Sequence, residues 1–442
     1  MSPFLIASIF LLGLSSKAIA ANFNQVFEWN EWDYEWPSEA SRARALKDGT
    51  FNLENIYPIH MAVYGTRTFL SLEKHKVNIP VSLVSVPTSS ASSALPKLTP
   101  VPSWDMHKLG DYSKIERARG LQVDSKGKLW VLDEGSDCTA SKIWTIDLKN
   151  NDQTKIIHRF PFQRLLHELM LDETPNGTFA YISNSNVFVK QYIVVFSLQK
   201  NESWRVDPQR ISFFSMALSP KDREPRELYL SKCDSGELYS IPVATLRDGT
   251  RAANPKLIGA LNTRCSYRML VDNHGTIYSA FVIKNYIYSW NTYQPFVAHR
   301  FYQVADELEA EFLPFAFAFD ENGTFWMTFY NTERKPSYRL LNNAVEAKSS
   351  KALPVTPANP TTKVQNSSFL TLKLHQDRQF IIVLICSIVF TVILSGLIIL
   401  CLILREKRIN SLPPNTNEAH RMIIFSDELA KYHGSQNDDN FS

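Results

Sequence analysis

From about residue 55 to residue 335, apolar and aromatic residues come in runs of four to seven, each closed by Asp, Asn or Gly. Runs of this length between turn residues predict short β-strands. The strands are organised by a repeat: Asp124-Ser-Lys-Gly127-Lys-Leu-Trp130, Asp172-Glu-Thr-Pro-Asn-Gly177-Thr-Phe-Ala180, Asp272-Asn-His-Gly275-Thr-Ile-Tyr278 and Asp320-Glu-Asn-Gly323-Thr-Phe-Trp326. Each is a tight polar turn leading into an apolar-aromatic strand. The glycines are about 50, 98 and 48 residues apart. The double gap places a further member near residue 225, where Glu224-Pro-Arg226-Glu-Leu-Tyr-Leu230 stands with Pro225 in place of glycine. Upstream, Val63-Tyr-Gly65-Thr-Arg-Thr-Phe-Leu70 has the same shape. Six units at a period near 50 predict an all-β chain folded as a six-bladed β-propeller. An array of immunoglobulin-like sandwiches would have a period nearer 100 and paired cysteines. Ring closure then calls on the segment Val26 to Pro37, or the strand after Gly323, to complete a blade.

The two ends of the chain depart from this pattern. Met1 to Leu14 is largely apolar and is followed by the small-x-small site Ala18-Ile19-Ala20, which predicts a secretory signal over residues 1–20. Phe380 to Leu404 is 25 residues without a charge, enough to span a bilayer as one helix. Arg405, Lys407 and Arg408 follow directly, so the tail over 405–442 is expected in the cytosol. The stretch 338–379 is rich in Ser, Thr, Pro and Lys and reads as a stalk. The expected product is a single-pass type I protein of the cell membrane, with an extracellular propeller over 21–337.

Composition narrows the partners. A net charge of +3 over 442 residues is near balance and gives no reason to expect nucleic acid. Four N-x-Ser/Thr sequons, at Asn176, Asn201, Asn322 and Asn366, fall on the extracellular side and are expected to carry glycans. Cys386 and Cys401 lie in the membrane segment, leaving Cys138, Cys233 and Cys265 outside. A Cys233–Cys265 disulfide would close a loop of about 31 residues and contribute roughly 3–4 kcal/mol. Cys138 is then a buried thiol or an intermolecular link.

Several segments, in order, resemble the yellow / major royal jelly protein family. They are Val26-Phe-Glu-Trp29 with Glu35-Trp36-Pro37, Phe51-Asn-Leu-Glu-Asn55, Arg67-Thr-Phe69, Ile79-Pro80-Val-Ser-Leu83, and Leu98-Thr-Pro100-Val-Pro-Ser-Trp104. Leu121-Gln-Val-Asp124 with Leu129-Trp-Val-Leu-Asp133-Glu-Gly135 resembles that family's Leu-Trp-Val-Leu-Asp-Thr-Gly signature, and Leu238-Tyr-Ser-Ile-Pro242-Val its fourth-blade segment. The chain departs from the family pattern where cysteines usually flank the first Asp-x-x-Gly turn, since Tyr112 and Lys126 stand there. The resemblance implies binding of biogenic amines or, alternatively, dopachrome conversion in the melanin pathway.

No Gly-x-Ser-x-Gly elbow, phosphate loop or dinucleotide fingerprint is present. His167-Glu168 begins like a zinc-protease motif, but Leu171 occupies the second ligand position. No metal or cofactor is expected. Propeller ligands enter at the mouth of the central channel, and Asp133 and Glu134 follow an apolar strand directly, with Tyr330 and Asn331 at the equivalent end of the last blade. A carboxylate beside ring faces suits an organic ammonium, so these four are the candidate ligand residues. For dopachrome conversion a base must remove a proton from carbon, and no spacing marks His158, His167 or His274 for that task. The run Trp29-Asn-Glu-Trp32-Asp-Tyr34-Glu-Trp36 is expected to pack the N-terminal strand onto the ring. The expected function is non-enzymatic binding of a small amine-like molecule or an extracellular protein, with a purely structural surface glycoprotein as a further alternative.

Overall fold

The computed structural model describes residues 23–73, 78–89, 95–136, 138–161, 166–184, 191–209, 211–232, 235–260, 266–281, 286–303, 312–331 and 338–344. They form six four-stranded antiparallel sheets. The chain opens with β1 (Asn24–Trp29), a capped helix α1 (Glu39–Lys47), and the first blade, β2 (Pro58–Tyr64), β3 (Arg67–Leu72), β4 (Leu83–Pro87) and β5 (Thr99–Pro100). Blade 2 is β6 (Ala118–Val123), β7 (Lys128–Asp133), β8 (Lys142–Asp147) and β9 (Gln153–Arg159). Blade 3 is β10 (Leu166–Thr174), β11 (Gly177–Asn184), β12 (Ile193–Ser197) and β13 (Glu202–Val206). Blade 4 holds β14 (Phe213–Leu218), β15 (Glu227–Lys232), β16 (Glu237–Pro242), the short helix α2 (Val243–Arg247) and β17 (Lys256–Ala260). Blade 5 is β18 (Ser266–Val271), β19 (Thr276–Phe281), β20 (Tyr286–Asn291) and β21 (His299–Gln303). Blade 6 is β22 (Phe312–Phe319), β23 (Thr324–Asn331) and β24 (Tyr338–Ala344), with β1 as its fourth strand.

The first strands of successive blades touch in order, and β22 returns to β2, so the ring is closed. It is sealed by pairing of β1 with β24, Trp29 opposite Tyr338. The aromatic run does the packing expected of it: Trp29, Trp32 and Tyr34 are buried in one cluster with residues of blades 1 and 6.

The sequence repeat is the turn between the first two strands of each blade, and its chemistry is local. Asp124 accepts from the backbone N–H of Lys126 and Lys128, both at 2.9 Å, and from Trp130 Nε1 at 3.0 Å. Asp320 does the same for Asn322 and Thr324 (2.9 Å each) and Trp326 Nε1 (3.0 Å). Asp272 holds His274, Thr276 and the Tyr278 hydroxyl. The aspartate thus caps the turn with one oxygen and the aromatic six residues on with the other. The intervening glycine takes positive φ, +80° at Gly127 and +78° at Gly323, which a side chain would strain. Removing Asp124 strands two N–H groups and an indole N–H. The variant Asp124→Ala should therefore lose roughly 2–3 kcal/mol, read as a shift in the urea-unfolding midpoint, while Lys126→Ala on the same turn should be near neutral.

The segments assigned to the signal, membrane span and tail lie outside the described residues, as do residues 345–379 of the expected stalk, Asn366, Cys233 and Cys265. The start of the stalk is corrected: Tyr338–Ala344 is strand β24, paired between β23 and β1 in blade 6, so the propeller runs past residue 337. Among the described residues no helix is long and apolar enough to cross a membrane. Cys138 is exposed, which overturns the buried-thiol expectation. It sits in a short turn whose Ser136–Thr139 bridge leaves the intervening side chain facing outward.

Candidate functional site

Each inner strand carries a register shift near its start, between Pro58 and His60, Ala118 and Leu121, Leu166 and Leu169, Phe213 and Ser215, Ser266 and Arg268, and Pro314 and Phe317. A bulge re-aims side chains that strict alternation would send into the blade. At these bulges His60, Arg119, His167 with Glu168, Phe214, and Tyr267 with Arg268 gather at the end of the channel where the inner strands begin.

Arg268 of blade 5 donates from Nη1 to Glu168 Oε1 of blade 3 at 2.9 Å and to His60 Nδ1 of blade 1 at 2.6 Å, and from Nη2 to the Ile59 carbonyl. The His60 and His167 rings lie 4.8 Å apart, and Phe214 lies 4.5 Å from His167. Blades 1, 3 and 5 are not neighbours in the ring, so these contacts cross the axis and close the channel. Because a guanidinium only donates, His60 Nδ1 accepts and the proton of the neutral ring sits on Nε2.

Burial sets the electrostatics. It pushes the Glu168 carboxyl up to about 7, against the opposing pull of Arg268 and of the Met216 N–H that donates to its other oxygen at 2.6 Å. Burial, then the positive charge of Arg268, holds His60 well below the usual imidazole range. Arg119 pairs with Glu73 at 2.6 Å and with Glu134 at 2.9 Å, and these carboxylates raise its pKa despite burial.

The four candidate ligand residues divide. Asp133 is fully buried and accepts from the N–H groups of Glu116, Arg117 and Gly135 and from Trp144 Nε1, all within 2.9–3.1 Å. The Lys142 ammonium lies 3.4 Å from it and 2.7 Å from Glu116, in a site where all three side chains are out of solvent. Glu134 is fully buried on Arg119. Tyr330 is 9% exposed and packs edge-on to Tyr57 at 4.8 Å and against Tyr338 at 4.9 Å. Asn331 ends β23. All four stand at the plugged end, but Asp133 and Glu134 spend their oxygens inside the protein. Sequence reasoning set aside Glu168 with its failed zinc motif and did not weigh Arg268 or His60. The available signal was a charged residue at the start of an otherwise apolar inner strand. Of the described sequons, Asn176, Asn201 and Asn322 are exposed on turns at the opposite end.

A family model, Major royal jelly protein, matches residues 118–213 and 209–328. Protein yellow of Drosophila guanche is 24% identical over 366 residues, covering 73% of this chain and 63% of that protein. Protein yellow of Drosophila melanogaster is 22% identical, covering 73% and 66%. These matches support membership of the yellow / major royal jelly protein family. It spans about two thirds of the length of these yellow proteins. Among solved structures, a putative gluconolactonase aligns at TM-score 0.46 with 9% identity, covering 74% of this chain and 93% of the other. A Xanthomonas campestris gluconolactonase aligns at 0.44 with 11% identity, covering 73% and 98%. Scores this low carry nothing about function. Within the yellow-family propeller, no three His, Cys, Asp or Glu side chains among the described residues are placed to hold a metal ion.

Proposed function

We propose that this yellow-family chain is a cell-surface binding protein rather than an enzyme. It is held at the membrane by Phe380–Leu404, and it takes a small amine-like molecule, or an extracellular protein presenting one, at the plugged end of the propeller. The observation that carries this reading is the charge of the plug. Glu73, Glu134 and Glu168 face Arg119 and Arg268, three carboxylates against two guanidiniums, a balance of −1 among these five groups. The rings of His167, Phe214 and Tyr267 stand on the same strand starts, the pairing of negative charge and ring faces that suits an organic ammonium.

The balance depends on Glu168. Below its pKa of about 7 the plug is neutral, and above it the extra negative charge is present. Affinity for an ammonium should therefore rise as pH increases through that value. Calorimetric titration of the full chain with dopamine, serotonin and octopamine is expected to give micromolar binding that follows this trend. Glu168→Gln should weaken it by about tenfold at pH 8 and flatten the pH dependence. No heat with any of the three, or binding that E168Q leaves unchanged, would overturn the reading.

One observation favours dopachrome conversion as a second reading: a carboxyl poised at about 7 matches what a general base needs at neutral pH. Against it, both oxygens of Glu168 are already held, by Arg268 and by Met216 N–H. Dopachrome decay accelerated by the full chain and lost in E168Q would establish catalysis in place of simple binding.

A further inference from the structure

A second polar cleft lies far from the axis, between blades 4 and 5, with a volume of about 320 Å³. Strand periodicity builds its floor. Glu227 and Tyr229 share one face of β15, Tyr229 stands opposite Ser240 of β16, and Ser240 stands opposite Lys256 of β17. Blade 5 supplies the wall from Trp290, whose ring lies 6.4 Å from Tyr229 and 5.1 Å from Phe296. Gly259 makes the close approach possible: a Cβ there would fall 2.2 Å from the Phe296 ring. Trp290 Nε1 is turned back onto the Gln294 and Pro295 carbonyls at 3.3 and 3.2 Å, so its polar edge is spent within its own turn.

Two polar groups in this cleft are buried without a hydrogen bond, the Tyr229 hydroxyl and Glu227 Oε2. Tyr229 is only 1% exposed. Its neighbour Thr292 already accepts from Arg223 at Oγ1 and at its carbonyl. Arg223 is further committed to the face of Tyr293, 4.9 Å from the ring centroid. Burial raises the pKa of Glu227, while the charges of Arg223 and Lys256 oppose that shift. Buried polar groups left unpaired cost roughly 1–3 kcal/mol each, so a pair of them lining one cleft marks a place where a ligand supplies what the protein does not.

The chemistry selects the ligand. Glu227 Oε2 needs a donor, whereas Tyr229 and Lys256 offer donors and need an acceptor. A hydroxyl does both, and an ammonium does only the first. With Arg223 and Lys256 set against the single carboxylate of Glu227, no net negative charge is left to hold an ammonium, and the Trp290 and Phe296 rings suit the C–H face of a saturated ring. We propose that this cleft is a carbohydrate site: a pyranose sets adjacent hydroxyls on Glu227, Tyr229 and Lys256 and its apolar face against Trp290 and Phe296.

Saturation-transfer NMR on the full chain tests this with N-acetylglucosamine and methyl α-mannopyranoside, and with phenethylamine as an ammonium lacking hydroxyls. Ring-proton saturation is expected for at least one sugar, weakened about tenfold by Tyr229→Phe and again by Glu227→Gln. Tyr229→Phe removes a hydroxyl whose polar neighbour, Thr292, keeps its bonds to Arg223, so its unfolding midpoint should change little, which separates a ligand role from a structural one. Saturation of neither sugar, sugar binding that both variants leave intact, or phenethylamine binding sensitive to E227Q but not to Y229F would each overturn the proposal.

Discussion

Replacing Lys142 by methionine is expected to destabilise the propeller by about 3–5 kcal/mol, among the largest losses any single substitution of a charged side chain would bring to this molecule. Lys142 has no solvent exposure, and neither do the two carboxylates it serves, Glu116 at 2.7 Å and Asp133 at 3.4 Å. Methionine matches the stem in length but leaves two buried acids facing each other without a cation. The remaining partners, Thr139 on Glu116 Oε1 and the Gly110 N–H on Oε2, cannot supply a positive charge. The loss should be read from the denaturant midpoint, and Glu116→Gln added to Lys142→Met should recover part of it by removing one stranded charge. By contrast, Arg42→Gln breaks the Arg42–Asp33 pair, whose side chains are 29% and 20% exposed, and should cost under about 1 kcal/mol. A Lys142→Met loss as small as that would mean the buried site is wet or already neutral, and that Asp133 is less firmly committed than its contacts imply.

This cluster also shows where sequence reasoning reached and where it stopped. The Asp-x-x-Gly repeat was legible because its bonds are local: Asp124 holds groups two, four and six residues away. Those spacings stand in the chain at Asp124, Asp272 and Asp320, and with the looser turns at Gly65, Gly177 and Pro225 they set a period near 50 that implies six blades. Asp133 stands out for the right reason, a carboxylate at the end of an apolar strand, yet its partners Glu116, just ahead of β6, and Lys142, at the start of β8, lie 17 and 9 residues away. Nothing in a linear pattern distinguishes a carboxylate waiting for a ligand from one satisfied across a blade. The axial plug is harder still. Arg268 meets His60 across 208 residues and Glu168 across 100, and those contacts exist only because bulges in every inner strand turn these side chains toward the axis. A bulge has no sequence signature of its own here. The same holds for the cleft between blades 4 and 5, where Tyr229 and Trp290 read as ordinary core aromatics until ring closure sets them side by side.

Ring closure itself provides the second large prediction. Trp32 is 1% exposed and stacks on Tyr338 of β24 with ring centroids 4.3 Å apart and planes 11° from parallel, while Trp29 meets it edge-on at 5.5 Å. Tyr338 in turn donates its hydroxyl to the Ile56 carbonyl at 2.7 Å, just ahead of blade 1. One indole therefore ties the N-terminal segment to the last strand, and that strand to the entrance of the first blade. Trp32→Ala should cost about 3–5 kcal/mol, as other buried Trp truncations do. The loss should be uneven in space. Backbone amides of β1 and β24 should exchange with solvent faster by hydrogen–deuterium exchange, whereas β11 and β12 of blade 3, on the far side of the ring, should be slowed or quickened far less. Trp32→Phe is the informative companion, because Trp32 Nε1 is buried without a partner. Phenylalanine keeps a ring against Tyr338 and deletes the unpaired N–H, so it should lose much less than alanine. Uniform acceleration of exchange around the ring in W32A would show that the six blades fail together and that the β1–β24 seam has no stability of its own.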